Sequence, residues 1–402
     1  MRFTPEEVAA EPWNPAWVAL LQQPRHKVAA QGDVGLPAAP ATRGAGGGSL
    51  GVFRFMDWSN TNLAYQRNQT WPGRTLPTDA TQMHEAGGGV AFEYMIMLAN
   101  KLGVNPWVNI PHNADDAFVR GLATLLKERV DEQRTTYVEF SNEVWNFGFK
   151  QYKYAAEMGF RAGLDTSPGE RAANRWYSDR VCQIKSIFDD VYGGAEHAKS
   201  RLNRVMSTWT DVPPTLGSFP VTMNTLTWHD NHRCVDSVAI TGYFGLGQDS
   251  SNKSYDSCWL ANRTVDEFIA LWNNESAWQR WIQVHEAQAE YIATFGHLEL
   301  VAYESGLGLA GNMHALCAES LAALLPRVLR DPRVADIAYR NIVEFSRLRN
   351  ATLMNIFSTV GWSNKIEGDW GQLEYMDSVG TAGGYKYAGM QKWLSEQPPS
   401  TQ

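Results

Sequence analysis

Basic residues, cysteines and long apolar runs are all scarce in this 402-residue sequence, and each scarcity excludes a class of function. No run of about 18 apolar residues occurs, so no membrane-spanning helix is predicted. Lys and Arg number 35 against 43 Asp and Glu, giving a net charge of -8. Nucleic acids and anionic membranes both need a basic face, so neither is predicted as a partner. The mild acidity suits a protein that acts on neutral ligands.

Only four cysteines are present, and none forms a C-x-x-C pair, so neither a thiolate zinc site nor a redox motif is indicated. Cys234 and Cys258 flank one predicted strand and could form a loop disulfide. The N-terminal sequence MRFTPEEVAAEPWN lacks a basic-then-apolar signal segment. We therefore expect a cytoplasmic protein, or an extracellular or periplasmic one if the N-terminus is incomplete.

Aromatic residues, by contrast, are abundant, with 16 Trp and 15 Tyr. Flat, partly polar rings suit sugar or planar-ligand surfaces, although most such rings are buried as core. Residues 1–50 contain GLPAAPATRGAGGGS, which is typical of a flexible linker. We predict an N-terminal segment over 1–50 and one folded domain over 51–396.

Strand-like runs alternate with helical ones after residue 50, which implies parallel strand pairing with right-handed crossovers. The helices include 90–103 and 114–133. Seven clear strands predict an α/β fold, a (β/α)8 TIM barrel whose first strand is weak or irregular, with 25–35 as a poor candidate. The alternative is a doubly wound sheet, whose ligand site would need a Gly-rich turn after a strand. The seven strands are predicted at 51–58, 105–113, 137–143, 201–210, 235–245, 298–304 and 351–362.

Chemically active side chains stand at the carboxyl ends of these strands, where barrel enzymes place their reactive groups. Two of them are glutamates from different strands, Glu143 in YVEFSNEVWN and Glu304 in LVAYESG. Retaining cleavage of a glycosidic bond uses two such carboxyl groups, one as acid and then base, the other as nucleophile. The other strand-end residues are polar or aromatic: Arg54, Asp57, Trp58, His112, Asn113, Asn142, Trp209, Tyr243 and Trp362.

This ordered set resembles the glycoside hydrolases of clan A, retaining β-glycosidases that include family 5, over about residues 51–365. FSNEVWN is similar to their fourth-strand segment, which carries the acid/base Glu after an Asn. LVAYESG is similar to their seventh-strand segment, which carries the nucleophile. The resemblance implies Glu143 as acid/base and Glu304 as nucleophile. It also implies a supporting or substrate-binding role for Arg54, His112, Asn142, Tyr243 and Trp362.

The function that follows from the resemblance is retaining hydrolysis of a β-linked oligosaccharide or polysaccharide. No cofactor or metal is expected, because two carboxylates and water suffice. A non-catalytic carbohydrate-binding barrel is the alternative, because a fold does not guarantee activity. A metal-dependent hydrolase is a third, but WHDNHRC and PHNADD lack the spacing of a defined metal site. The sequence does not give the sugar, the linkage or the oligomeric state.

Several neighbours of these residues keep open roles. Glu139 shares a strand face with Glu143, and we expect a structural, hydrogen-bonded role for it one layer below. Asn142 is expected to orient either a sugar hydroxyl or Glu143. Trp145 is expected either to pack under the loop or to flank the leaving group, and Trp209 is either a core residue or part of the site. Trp71 and Arg74, in TWPGRTLP, could reach the site from their loop.

Overall fold

A computed structural model describes residues 33–37, 51–66, 69–82, 88–210, 220–246, 256–309, 317–361 and 368–397. Strands β2 to β6 pair in parallel with their neighbours along the chain, whereas β1 pairs antiparallel with β8. The strands of the described residues are β1 (Asp33–Pro37), β2 (Val52–Arg54), β3 (Asn105–Ile110), β4 (Thr136–Phe140), β5 (Leu202–Ser207), β6 (Ser237–Gly245), β7 (Glu299–Gly308) and β8 (Ala351–Ile356).

The strands follow one another in chain order around a closed sheet, with helices between them. The fold is therefore a (β/α)8 barrel with an irregular first strand, which confirms the predicted class. β1 shares only residues 33–35 with the candidate first strand predicted at 25–35, and it is antiparallel to β8. The domain boundary at residue 50 stays a prediction.

The helices between the strands carry the end signals that the sequence suggested. α1 ends at Gly103, whose φ of 67° lies in the left-handed region that glycine adopts without strain. α2 begins after Asp115, whose carboxylate accepts from the Phe118 N–H. The helices are α1 (Phe92–Leu102), α2 (Asp116–Arg129), α3 (Lys150–Arg161), α4 (Glu170–Tyr192), α5 (Ala195–Arg201), α6 (Pro220–Leu226), α7 (Ser257–Ala261), α8 (Val265–Trp272), α9 (Glu275–Ala293), α10 (Ala318–Leu329), α11 (Arg333–Ser346) and α12 (Tyr385–Glu396).

The chain divides into two compact units, which are described separately. Of the described residues, the first unit comprises those within 51–240 and 290–301, and so holds β2 to β5 and the start of β6. The second comprises 33–37 and those within 241–289 and 302–397, and so holds β1, β8 and most of β7.

Each unit has its own buried aromatic residues. In the first, Phe53 and Trp107 are fully buried on neighbouring strands. In the second, Trp278 is fully buried and stacks on Phe244, with ring centroids 3.5 Å apart. Strands buried in this way read as continuous apolar runs, which is why the sequence revealed them.

Two disulfides are present. Cys182 pairs with Cys234 in the first unit, and Cys258 pairs with Cys317 in the second. The bridge between Cys234 and Cys258 that the sequence left open as a possibility is therefore not formed. The two cysteines of each bridge are far apart in the sequence, with separations of 52 and 59 residues. Each bridge joins segments that only the tertiary fold brings together.

The loop after β2 packs against the helices of the first unit rather than holding its polar groups free. The Arg74 guanidinium stacks 3.9 Å over the Trp71 ring and pairs with Glu93 of α1 at 2.6 Å. The Trp71 ring contacts Phe118 of α2 edge-on. These contacts give Trp71 and Arg74 a packing role. Among the helices of the described residues, none has the length and apolar character needed to cross a membrane.

Candidate active site

A buried ion pair lies at the centre of the first unit's polar cluster. Arg54 ends β2 and is 1% exposed, and Glu139 of β4 is fully buried. The Arg54 Nε donates to Glu139 Oε2 at 2.9 Å, and Nη2 lies 2.8 Å from the same oxygen. A charge buried this deeply demands a partner, and each residue supplies the other's.

Three neutral side chains also donate to the Glu139 carboxylate. The Trp107 indole N–H lies 2.8 Å from Oε2, and the Asn109 amide lies 2.7 Å from it. The Ser207 hydroxyl donates to Oε1 at 2.6 Å. These bonds match the hydrogen-bonded role expected for Glu139. The donors come from β3 and β5, so the carboxylate on β4 links its two neighbouring strands.

Asn142, the residue before the candidate acid, has both ends of its amide engaged. Its Oδ1 accepts from Arg54 Nη2 at 2.9 Å, and its Nδ2 donates to Asn62 Oδ1 at 3.1 Å. Gln151 of α3, fully buried, donates at 2.8 Å to both the Asn142 carbonyl and Asn62 Oδ1. Two hydrogen bonds thus hold the Asn142 side chain, and a third holds its backbone carbonyl. Asn62 and Gln151 gave no signal in the sequence. Asn62 lies 80 residues from Asn142 and 89 from Gln151, and only the bond from Gln151 to the Asn142 carbonyl is local.

Glu143 lies three residues beyond β4 in a backbone turn with an uncommon conformation. Its φ is 44°, and that of Ser141 is 65°, both in the left-handed region that non-glycine residues adopt rarely. The turn is closed twice: the Asn146 N–H donates to the Glu143 carbonyl, and the Asn146 amide donates to Glu143 Oε2, both at 2.9 Å. Such strain clusters at functional sites, so it motivates a functional reading of this half-buried carboxylate.

His112 lies beyond β3 and is 3% exposed, with its ring edge-on to Tyr154 at a centroid distance of 5.0 Å. Burial lowers the pKa of His112 to about 4. The imidazole is therefore neutral near pH 7. A neutral imidazole can donate one hydrogen bond and accept another, so it can bind a polar ligand while uncharged.

The second unit holds the other glutamate. Glu304 lies within β7 and is 8% exposed, and the Tyr243 hydroxyl donates to its Oε2 at 3.0 Å. Tyr243 lies in β6, and its carbonyl accepts from the Trp281 indole N–H at 2.9 Å. The Trp370 ring packs against Tyr243 with centroids 5.0 Å apart. Tyr243 is thus held at its backbone and at its ring while its hydroxyl is directed at the carboxylate.

The strand that carries Glu304 extends beyond the predicted end. β7 was predicted to stop at Glu304 but continues to Gly308. Beyond Glu304 the strand passes through Gly306, whose φ of 109° lies in a region that residues with side chains rarely adopt. The Ser305 hydroxyl donates to the Asn355 carbonyl of β8 at the same level, so the Glu-Ser-Gly sequence anchors the carboxylate between two strands.

Trp362, the predicted sugar platform, lies outside the described residues. Trp370 and Trp281, which hold Tyr243, were not predicted. Trp370 belongs to a loop, where period and position give no signal, and Trp281 lies within a helix that reads as ordinary packing. Among the described residues, no group of three His, Cys, Asp or Glu side chains could hold a metal ion.

His285 of α9 contacts β6, the strand that carries Tyr243. Its burial predicts that the stability of the protein depends on pH. Its ring nitrogens lie 2.7 Å from the Trp281 carbonyl and 3.2 Å from the Thr241 carbonyl, and its ring stacks on Trp281. Burial lowers the pKa of His285 to about 4, against the two carbonyl contacts, which raise it.

We expect the free energy of unfolding to fall as the pH drops from about 6.5 to about 4, because the unfolded chain then takes up a proton that native His285 does not. The contribution is complete above pH 6.5 and is about 3 kcal/mol at most. His285→Gln should lose less stability between pH 7 and pH 5 than the wild type, as measured by chemical denaturation. His297→Gln, at an exposed histidine, is the matched control. An equal loss in the His285 variant and the wild type would contradict the prediction.

Comparisons with known proteins give structural likeness without sequence support. No family model and no curated protein matches the chain. Matching solved structures include the GH51 arabinofuranosidase from Xanthomonas axonopodis pv. citri, at 15% identity and a TM-score of 0.42, over 78% of this chain and 59% of that one. Another is AbfB, a family 51 alpha-L-arabinofuranosidase from Bifidobacterium longum, at 13% identity, a TM-score of 0.42, and coverage of 79% and 59%. A beta-glucosidase from Thermotoga maritima matches at 12% identity and a TM-score of 0.35, with coverage of 75% and 77%.

All three are glycoside hydrolases by name, the class of enzyme to which the sequence resemblance points. The chain spans 59% of the length of the arabinofuranosidase structures. Identities and TM-scores this low assign no activity. The fold assignment rests on the strand order, and the function rests on the residues.

Proposed function

We propose that this protein is a retaining glycoside hydrolase that cleaves β-linked glycans, with Glu143 as acid/base and Glu304 as nucleophile. The observation that carries the proposal is the contrast between the two carboxyl groups. Glu304 is buried in a strand and accepts a bond from the Tyr243 hydroxyl, whereas Glu143 is half-buried in a strained turn. Pairs of carboxyl groups in unlike environments are how such enzymes separate a nucleophile from an acid.

In the first step, the Glu304 carboxylate attacks the anomeric carbon while the Glu143 carboxylic acid gives its proton to the glycosidic oxygen. The bond between that carbon and that oxygen breaks, the leaving sugar departs as an alcohol, and a glycosyl ester on Glu304 remains. The Tyr243 hydroxyl, which donates to Glu304 Oε2, would hold the carboxylate in place while its other oxygen attacks.

In the second step, the Glu143 carboxylate takes a proton from water, and the water oxygen attacks the anomeric carbon. The ester bond breaks and Glu304 leaves as a carboxylate, so the sugar is released with its original configuration. Arg54, Asn142 and His112 would bind substrate or hold the carboxylates in place. The neutral imidazole of His112 suits a sugar hydroxyl.

Covalent trapping tests the proposal. One of the 2-deoxy-2-fluoro-β-glucosyl, β-xylosyl and β-mannosyl fluorides should inactivate the enzyme. The 2-fluorine slows both steps, but the anomeric fluoride is a good leaving group that speeds the first, so the glycosyl ester accumulates. Mass spectrometry of a peptide digest should find one added sugar on the peptide that contains Glu304, and Glu304→Gln should take up none.

A label on any other carboxyl group would refute the assignment of the nucleophile. The absence of both labelling and hydrolysis, with glycan binding retained in calorimetry, would establish the carbohydrate-binding alternative instead.

A further inference from the structure

The segment that carries Glu143 returns to its own beginning. It runs from the end of β4 to the start of α3, and Gln151 is the second residue of that helix. Gln151 is fully buried, and its Nε2 donates to the Asn142 carbonyl, nine residues back, at 2.8 Å. The same nitrogen donates at 2.8 Å to Asn62 Oδ1, which also accepts from Asn142 Nδ2. Three amide side chains therefore meet where the segment begins.

Both peptide groups that flank the Cα of Glu143 are held. The group before it accepts a hydrogen bond from Gln151 at the Asn142 carbonyl. The group after it accepts one from the Asn146 N–H at the Glu143 carbonyl. Because peptide groups are planar, fixing both leaves the backbone angles of Glu143 little freedom. Its φ of 44° is rare for a residue with a side chain, and such a conformation persists only where the surroundings impose it. The bond from Gln151 is one of the contacts that impose it.

Packing alone does not require a polar side chain at position 151. The Gln151 Oε1 is buried and has no hydrogen-bond partner among the described residues, a cost that an apolar side chain would avoid. Both atoms that accept from its Nε2 are oxygens, so the NH2 end of the amide is what the place demands. The benefit that offsets the cost therefore lies in the carbonyl that the amide holds.

We propose that Gln151 is a positioning residue for Glu143: through the Asn142 carbonyl it sets the direction in which the side chain of the acid leaves the backbone. The inference rests on the proposed function, because it takes Glu143 as the group that protonates the leaving oxygen. A general acid must lie within hydrogen-bond reach of the atom that it protonates, so a shift of about 1 Å is costly. Without the Gln151 bond, the φ of Glu143 can relax towards the common negative values, and the carboxyl group moves with it.

The other end of the turn has its own supports. The Asn146 amide donates to Glu143 Oε2, and the Trp145 ring stacks on that of Trp209 with centroids 5.4 Å apart. We expect these contacts to keep the turn folded when Gln151 is replaced, so that the effect on the acid can be measured in a folded protein.

The test compares two substrates that differ in their need for an acid. Phenyl β-glycosides release a basic phenolate and need protonation, whereas 2,4-dinitrophenyl β-glycosides release a stable anion and need none. Each is made with glucose, xylose, mannose and their β-1,4-linked disaccharides, and the sugar that the wild type hydrolyses fastest is used. For Gln151→Met we expect kcat/KM on the phenyl glycoside to fall about tenfold to a hundredfold. The kcat/KM on the dinitrophenyl glycoside should stay within about twofold of wild type, because it reports only the steps up to the glycosyl ester.

Asn231→Leu is the matched control. Asn231 is 6% exposed in the first unit, and its Nδ2 likewise donates to two acceptors, Ser178 Oγ and Asp179 Oδ1. Both this variant and Gln151→Met should lower the free energy of unfolding in chemical denaturation. Only Gln151→Met should change the ratio of the two kcat/KM values, which a merely structural role would leave as it is.

Asn62→Ala is the second variant, because it removes the acceptor that Gln151 and Asn142 share. It should change the ratio in the same direction, and it decides the test if circular dichroism shows that Gln151→Met does not fold. An unchanged ratio in the folded variants, or an equal loss on both substrates, would overturn the inference and leave the proposed function standing. A wild type that hydrolyses neither substrate would overturn the proposed function and this inference with it.

Discussion

Replacing Glu304 with alanine is expected to lower kcat by about four orders of magnitude, measured on the β-linked oligosaccharide that the wild type hydrolyses fastest. Removal of a catalytic nucleophile typically costs this much, because the remaining groups bind and orient the substrate but form no covalent intermediate. Glu304 is the buried carboxylate whose Oε2 accepts from Tyr243, and the alanine leaves a space of carboxyl size at that point.

Azide should partly restore turnover of Glu304→Ala. The anion fits the vacated space and attacks the anomeric carbon directly, so a single displacement replaces the double one. The product is then a glycosyl azide of inverted configuration, which proton NMR distinguishes from the retained product of wild type.

Glu299→Gln is the matched control for this experiment, because Glu299 begins the same strand and is partly exposed. It should keep wild-type turnover and gain nothing from azide. Near-normal turnover by Glu304→Ala would remove the assignment of the nucleophile. A loss of turnover with no rescue by azide would leave Glu304 with a structural role only.

The strands could be predicted from the sequence, and the two glutamates could be selected as candidates, because these signals are local. A strand buried on both faces is a continuous apolar run, and a carboxylate interrupts that run, as in VEFSNE and VAYESG. The role of Glu139 followed from its spacing of four residues from Glu143. Each of these conclusions needed only neighbours within a few residues.

The rest of the candidate site depends on contacts between distant residues. Asn62 and Gln151, which fix Asn142, are separated by 89 residues. The supporting or substrate-binding role of Arg54 stays a prediction, whereas its ion pair with Glu139 was not predicted. That pair joins two residues 85 apart. Neither periodicity nor a motif shows which buried charges pair, and the same limit left the disulfide pairing open.

Breaking the Arg54–Glu139 pair is expected to destabilise the protein by about 3–5 kcal/mol per single substitution, because each leaves one buried charge without its counter-ion. Arg54→Met and Glu139→Gln keep the approximate size of the side chains, so the loss reports charge and hydrogen bonding rather than a cavity. In chemical denaturation, the variant with both Arg54→Met and Glu139→Gln should lose less free energy of unfolding than the sum of the two single losses. The difference, which is the coupling energy, should be about 2 kcal/mol or more.

An exposed ion pair in the same unit is the control that shows whether the loss of stability depends on burial. Arg120 and Asp190 lie 2.6 Å apart with side chains 53% and 67% exposed, so Arg120→Met should cost at most about 1 kcal/mol. The buried pair has a shared carboxylate with five donor contacts. Glu139→Gln replaces one carboxylate oxygen by an amide NH2, so either the Ser207 donor or the Trp107 and Asn109 donors lose their acceptor. Arg54→Met leaves those three bonds in place, so Glu139→Gln should be the more damaging of the two single changes. Single losses no larger than that of Arg120→Met would mean that the cluster has room to admit water, and that Asn142 and Glu143 are positioned by the turn alone.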